Sequence, residues 1–283
     1  MKFRAKTEEI SNIEQLIRVC GSIGKMTQLC VLRISEQNMF FILNDKVVHG
    51  GVWCQMNPDN FFEEYRMEGL SEESNEIYLE VSPDEIVQAL KTGTYAAKTL
   101  KVKLTKKSSP CLTFEIELPS QSGRIQTFIH DVPVNVLPKR LWSDYKEPLV
   151  PQFDISVAMP PLKSLKSVTE RLKNLGSYME LSANHNGDMR MRVETEQATV
   201  SVNFKDLEIV HVDNGSSQSQ PQNRMMGRFY GAKVDIKNLL MFLSGQLVNP
   251  SRIICNIMEN RAIHCFLIQE DVSIQYCMPV INN

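Results

Sequence analysis

A chain of 283 residues has the length of two ordinary domains. Its 42% hydrophobic and 23% charged residues can fill a core and exclude wholesale disorder. Lys plus Arg number 31 and Asp plus Glu 33, a net charge of -2, so the sum alone does not point to nucleic acid. No run approaches the ~18–20 apolar residues of a membrane span. Met1-Lys2-Phe3-Arg4-Ala5-Lys6 alternates charged and apolar residues and lacks a signal-peptide apolar region. The seven cysteines are scattered, odd in number and mostly set in apolar runs. That pattern predicts free thiols in a reducing compartment.

In chain order, a helix is predicted from Ser11, with Glu14 completing a capping box and Ile13, Leu16, Ile17, Cys20 and Ile23 at helical spacing. Strands follow at 28–34, 39–44 and 75–81. Ser82-Pro83-Asp84-Glu85 opens a second helix with a cap, a first-turn proline and another capping box. Leu100, Val102 and Leu104, then Leu112, Phe114, Ile116 and Leu118, alternate with polar residues as two half-buried strands. Six of the thirteen prolines fall between Pro133 and Pro161. They mark an extended connector, and the expected domains are 1–132 and 155–283, joined by 133–154.

Past the connector, a third helix runs from about Pro161 with Leu165, Val168, Leu172 and Leu175 on one face. Strands are predicted at 177–183, 189–195 and 198–204, then a polar loop at 213–223 and a strand at 228–234. Asp235 caps a fourth helix, with Ile236, Leu239, Leu240 and Leu243 inward and Gly245 as its stop. Three more strands, 252–258, 262–268 and 271–277, close the chain.

The halves repeat. At an offset of 152 residues, Ile13, Leu16, Cys20 and Ile23 fall on Leu165, Val168, Leu172 and Leu175, and Gly24 falls on Gly176. At 153, Val81-Ser82 falls on Val234-Asp235. The expected architecture is therefore α+β, two similar domains each with two helices on one face of a sheet.

Charge is segregated within the neutral sum. Residues 60–85 carry nine acids against Arg66, whereas Ile86 to Phe114 holds six lysines and no carboxylate. The third helix sets Lys163, Lys166 and Lys173 away from its apolar stripe, with Arg171 at the margin and Glu170 the one acid. A solvated face accounts for any single lysine. A basic helix face can also neutralise phosphates without reading bases. No phosphate-cradling loop, dinucleotide fingerprint, zinc-binding helix or nucleophile elbow is present. No catalytic residue, cofactor or metal site is expected.

Many short motifs in order along the chain resemble the Hus-one checkpoint protein family, a subunit family of the nine-one-one DNA-damage checkpoint clamp (Rad-nine, Rad-one and Hus-one). In the first half they are Met1–Lys6, Leu32-Arg33-Ile34-Ser35, Met67-Glu68-Gly69, Asn75–Glu80, Ala89-Leu90-Lys91-Thr92 and Pro110-Cys111-Leu112-Thr113. In the second they are Lys166-Ser167-Val168, Phe204-Lys205-Asp206-Leu207, Leu239-Leu240, Gly245-Gln246 and Glu270–Tyr276. After Leu207 the pattern departs, with Glu208-Ile209-Val210 in place of the family's glycine-asparagine-proline-proline.

The resemblance implies a DNA sliding-clamp fold and a non-catalytic subunit of a heterotrimeric ring that encircles double-stranded DNA. The ring would be opened by a clamp loader and would serve checkpoint signalling and repair enzymes, in the nucleus with a cytoplasmic pool. The competing reading is a replicative homotrimeric clamp. With helix phase, the resemblance assigns Arg18, Lys25, Lys91, Lys163, Lys166, Lys173 and Lys237 to the DNA-facing side. By analogy, subunits join at the strands bearing Cys111, Thr113 and Glu115 and bearing Tyr178, Glu180 and Ser182. Two roles fit Leu137, Leu141, Trp142, Tyr276 and Pro279: a pocket for client peptides, or pinning the connector to the second domain.

Overall fold

The computed structural model describes residues 1–45, 50–92, 96–119, 124–147, 152–210, 227–244, 250–269 and 271–281. The chain forms two units. One comprises Met1–Asn44, Trp53–Glu147 and Asp271–Ser273, the other Asp45–Val52, Pro148–Glu270 and Ile274–Asn283. The polar loop expected at 213–223 and the helix stop at Gly245 lie outside the described residues.

The first half of the chain runs β1 (Lys2–Thr7), α1 (Ile10–Gly24), β2 (Cys30–Ile34), β3 (Met39–Asp45), β4 (Gly50–Met56), β5 (Glu64–Glu68) and β6 (Ile77–Val81). It continues with α2 (Pro83–Lys91), β7 (Thr99–Lys106), β8 (Pro110–Pro119), β9 (Ile125–Pro133) and β10 (Asn135–Val136). A five-stranded sheet has the order β5-β1-β7-β8-β9, and β10, β6, β2 and β3 are neighbours in a second. All registered pairs are antiparallel. The helices pack on each other. Their inward stripes are Ile13, Leu16, Val19, Cys20 and Ile23 on α1 and Ile86, Ala89 and Leu90 on α2.

After a 3-10 helix at Lys139–Tyr145, the second half runs β11 (Ile155–Ala158), α3 (Leu162–Lys173), β12 (Tyr178–Ala183), β13 (Met189–Glu194) and β14 (Thr199–Phe204). Then come β15 (Tyr230–Asp235), α4 (Ile236–Leu243), β16 (Arg252–Met258), β17 (Ala262–Gln269) and β18 (Val272–Pro279). One sheet has the order β14-β13-β12-β15; β18, β17, β16 and β11 are neighbours in another. The helices α3 and α4 again pack as a pair. Glu208–Val210, where the sequence departs from the family pattern, lies along β11: Glu208 O accepts from Ala158 N at 2.8 Å and Val210 N donates to Ser156 O at 2.9 Å.

Local capping signals account for the starts of two of the four described α-helices. Ser82 caps α2, its hydroxyl accepting from Glu85 N at 3.4 Å, and Asp235 caps α4, accepting from Lys237 N at 2.7 Å. The capping box expected at Ser11 does not form. The N-cap falls two residues earlier, at Glu9, with no side-chain cap. Thr7 Oγ1, at the end of β1, instead accepts from Glu9 N and Asn12 Nδ2. Leu175 does not extend the stripe of α3. The helix ends at Lys173, so Leu175 falls beyond the last turn and is exposed. Thr169 takes a buried place instead and returns its hydroxyl to Leu165 O at 2.7 Å.

Candidate nucleic-acid interface

The amphipathic spacing that buries Leu162, Leu165, Thr169 and Leu172 turns the other side of α3 outward. Lys163, Arg171 and Lys173 are exposed there and Lys166 is half-buried. The start of α3 has Pro161 at the N-cap, no side-chain cap and no acid in its first turn. Lys163 thus sits at the positive end of the helix dipole, where a cation is locally unfavourable. Arg171 and Lys173 occupy the favourable end. On α4, burial of Ile236, Leu239, Phe242 and Leu243 leaves Lys237 exposed in the first turn. On the first unit's helices, Arg18, Lys25 and Lys91 are exposed. Arg18 Nη2 lies 3.5 Å from Glu14 Oε2, one helical turn back. All seven cations expected to face DNA are therefore on or next to helices, six exposed and Lys166 half-buried.

The lysines on strands are used differently. Lys101 pairs with Glu117 and Lys103 with Glu115, both at 2.8 Å across β7 and β8. Each pair is partly buried, and both neutralise charge within the sheet.

The expected joining strands require correction. β8 lies between β7 and β9, and β12 between β13 and β15, so neither is an edge. Cys111, Thr113 and Glu115 stand opposite Pro133, Asp131 and Ile129 of β9. Cys111 and Thr113 are buried, and the Thr113 hydroxyl donates to Asp131 at 2.6 Å. Tyr178, Glu180 and Ser182 have partners on β15, and Ser182 is fully buried. Interior strands have no backbone groups left for another chain.

Edges belong to β14, expected as a strand at 198–204, and to β9, which carried no strand expectation. β9 closes one side of the first unit's five-stranded sheet and exposes Ile125, Phe128 and Ile129. β14 closes one side of the second unit's four-stranded sheet. The other side of that sheet, at β15, is covered: Gly231 O accepts from Asn260 N and Lys233 O from Ile281 N, both at 3.0 Å. The run 125–133 was hidden because its side chains show no apolar alternation; most are exposed on both faces. The available signal was Pro119-Ser120-Gln121-Ser122-Gly123, a turn-rich break before β-branched and aromatic residues.

Trp142 is buried in the first unit, stacked on Tyr78, and its Nε1 donates to Leu137 O at 3.0 Å. Leu137 and Tyr145 pack against the cluster of Val31, Phe40, Ile42, Trp53, Tyr78 and Trp142. The 3-10 segment is thus pinned to the first unit, where the sequence suggested the second. Tyr276 is buried in the second unit, stacked on Phe242 with centroids 5.8 Å apart. Leu141 and Pro279 are half-buried. Among the described residues, no group of His, Cys, Asp and Glu could hold a metal ion.

A pair of helices on antiparallel sheet in each of two units is the architecture of a DNA sliding clamp. The structure superposes on the proliferating cellular nuclear antigen of Entamoeba histolytica with a TM-score of 0.73, covering 99% of each chain at 13% identity. The family model described as Hus1-like protein matches residues 1–282, and the chain belongs to that family. It is 42% identical to the human checkpoint protein HUS1, covering 100% of both chains. It is 28% identical to the Schizosaccharomyces pombe checkpoint protein hus1, covering 93% of this chain and 91% of that one.

Proposed function

We propose that this chain is a non-catalytic subunit of a heterotrimeric checkpoint clamp that encircles double-stranded DNA at damage sites in the nucleus. Membership of the Hus1-like family, together with the clamp fold, supports the checkpoint role. The observation that carries the DNA reading is the set of cations on the helices: Arg18, Lys25, Lys91, Lys163, Lys166, Lys173 and Lys237. They suit phosphate contact that is independent of sequence, and a ring that slides needs contacts of that kind.

Ring closure through sheet edges would use β9 at one joint and β14 at the other, each meeting a different related subunit. Two unlike edges on one chain suit a head-to-tail arrangement. A ring held this way presents surfaces for repair enzymes and is opened by a loader.

The test is purification of the tagged chain from its own cells, with the native mass and composition of the assembly measured. One copy of this chain with two different clamp-like chains is the expected result. A stable assembly of three copies of this chain alone would replace it with the homotrimeric processivity clamp.

A further inference from the structure

The two helix pairs differ in charge. α1 carries Glu14 and Arg18, and α2 carries Asp84, Glu85 and Lys91. That pair sums to -1. α3 carries Lys163, Lys166, Arg171 and Lys173 against Glu170, and α4 carries Lys237 alone. That pair sums to +4.

The partnering of these charges differs in the same direction. Of the first unit's three cations, Arg18 is engaged by Glu14 at 3.5 Å and Lys91 also has an interaction within the chain, while Lys25, just past the end of α1, is exposed and in no ion pair among the described residues. No ion pair within the described residues engages Lys163, Lys166, Arg171, Lys173 or Lys237. The exposed Asp84 and Glu85 in the first turn of α2 complement the helix dipole and would repel a phosphate. Lys163 does the reverse, holding a cation where the dipole disfavours it. Such a local cost is expected where a residue serves binding rather than stability.

We infer that contact between this chain and the phosphate backbone of duplex DNA is delivered by α3 and α4, and that α1 and α2 are close to electrostatically silent toward it. Arg171, at the margin of the helix by phase, belongs to the contacting set because it is exposed and has no ion partner among the described residues. The inference rests on the proposed reading that the helices face DNA. It adds that one half of the chain holds the duplex and the other half lets it pass.

The test uses the complex purified with its natural partners. Two triple variants of this chain are compared: Lys163→Gln with Lys166→Gln and Lys173→Gln, and Arg18→Gln with Lys25→Gln and Lys91→Gln. Equilibrium binding to a short mixed-sequence duplex is followed over a salt series, and thermal unfolding confirms that each variant is folded. Each lost phosphate contact removes about 0.9 from the slope of log affinity against log salt. The α3 variant is expected to flatten the slope by about 1–3 and to weaken binding at ~0.1 M salt at least about tenfold. The first-unit variant is expected to change the slope by less than about 0.5. An equal or larger effect from the first-unit variant would overturn the asymmetry while leaving the helix-face reading intact. If the wild-type complex binds and neither variant moves the slope, the helix-face reading fails as well.

Discussion

The indole of Trp142 lies on the ring of Tyr78 with centroids 4.5 Å apart and 22° between planes. The two residues are far apart in sequence, and their contact fastens the connector's 3-10 segment to the first unit. The indole N–H donates to Leu137 O, just before that segment. Trp142→Phe keeps a ring on Tyr78 and forfeits the hydrogen bond, an expected cost of about 1 kcal/mol. Trp142→Ala also opens a cavity, with an expected cost of about 3–5 kcal/mol. Denaturant unfolding of the two variants checks both values. Equal losses from Phe and Ala would show that the stacked ring contributes little.

The joint proposed at β9 offers a way to separate folding from assembly. Ile125 and Ile129 are 54% and 59% exposed, so their contribution to the chain's own stability is small. Ile129→Asp should change unfolding free energy by no more than about 0.5 kcal/mol. It should nevertheless abolish co-purification with one clamp-like partner, because it sets an unpaired charge in an apolar edge. Retention of both partners would show that the joint lies elsewhere.

Lys163 trades stability for charge. Lys163→Glu places an acid in the first turn of α3, where no acid stands in the native chain. The expected gain is about 0.3–1 kcal/mol, seen as a raised Tm, and it should fall as salt is added. The same variant should weaken retention on DNA. A lowered Tm would show that the lysine supports the fold through a contact other than the dipole.

His264 makes the second unit acid-sensitive. Burial lowers its pKa from 6.5 to about 4, because the charged imidazolium is poorly solvated there; a hydrogen bond with Gln275 opposes the shift. Phe153 and Phe266 pack on the ring. A depressed histidine pKa means that the unfolded chain binds the extra proton first. Stability is therefore complete above about pH 6.5 and falls as pH drops towards 4. The expected loss at pH 5 is about 2 kcal/mol relative to pH 7. His264→Gln, which cannot titrate, should flatten that limb in urea unfolding followed at several pH values. An unchanged acid limb would place the sensitivity on other groups.

The sequence resolved what depends on neighbours along the chain. Ser82 and Asp235 announced their helices because a cap acts on a backbone N–H two or three residues away. The cationic side of α3 followed from Leu165 and Leu172, since residues three and four apart share a helix face. Family membership was legible for a related reason: ordered short motifs need no knowledge of contacts.

Edge and interior could not be read in that way. Whether β8 or β9 bounds the sheet depends on which strands pair, and that is decided by partners far away in sequence. β8 has a clean alternation because it lies inside the sheet with one face in the core, whereas β9 lacks one because its edge and faces meet solvent. The analogy therefore chose a strand that pairing keeps inside the sheet. Trp142 likewise reads as one aromatic in a proline-rich connector until folding brings Tyr78 beneath it.

By itself, the sequence determined the family, the two-fold α+β repeat and the cations that hide under a net charge of -2. Those features arise from local periodicity and residue chemistry. Only the tertiary structure decided which strands are left open, which unit holds the connector, and that Arg18 is engaged by Glu14 while the α3 cations have no ion partner among the described residues. The reason is physical: hydrogen-bond pairing, burial and ion pairing are properties of the space around a residue, which the folded chain defines.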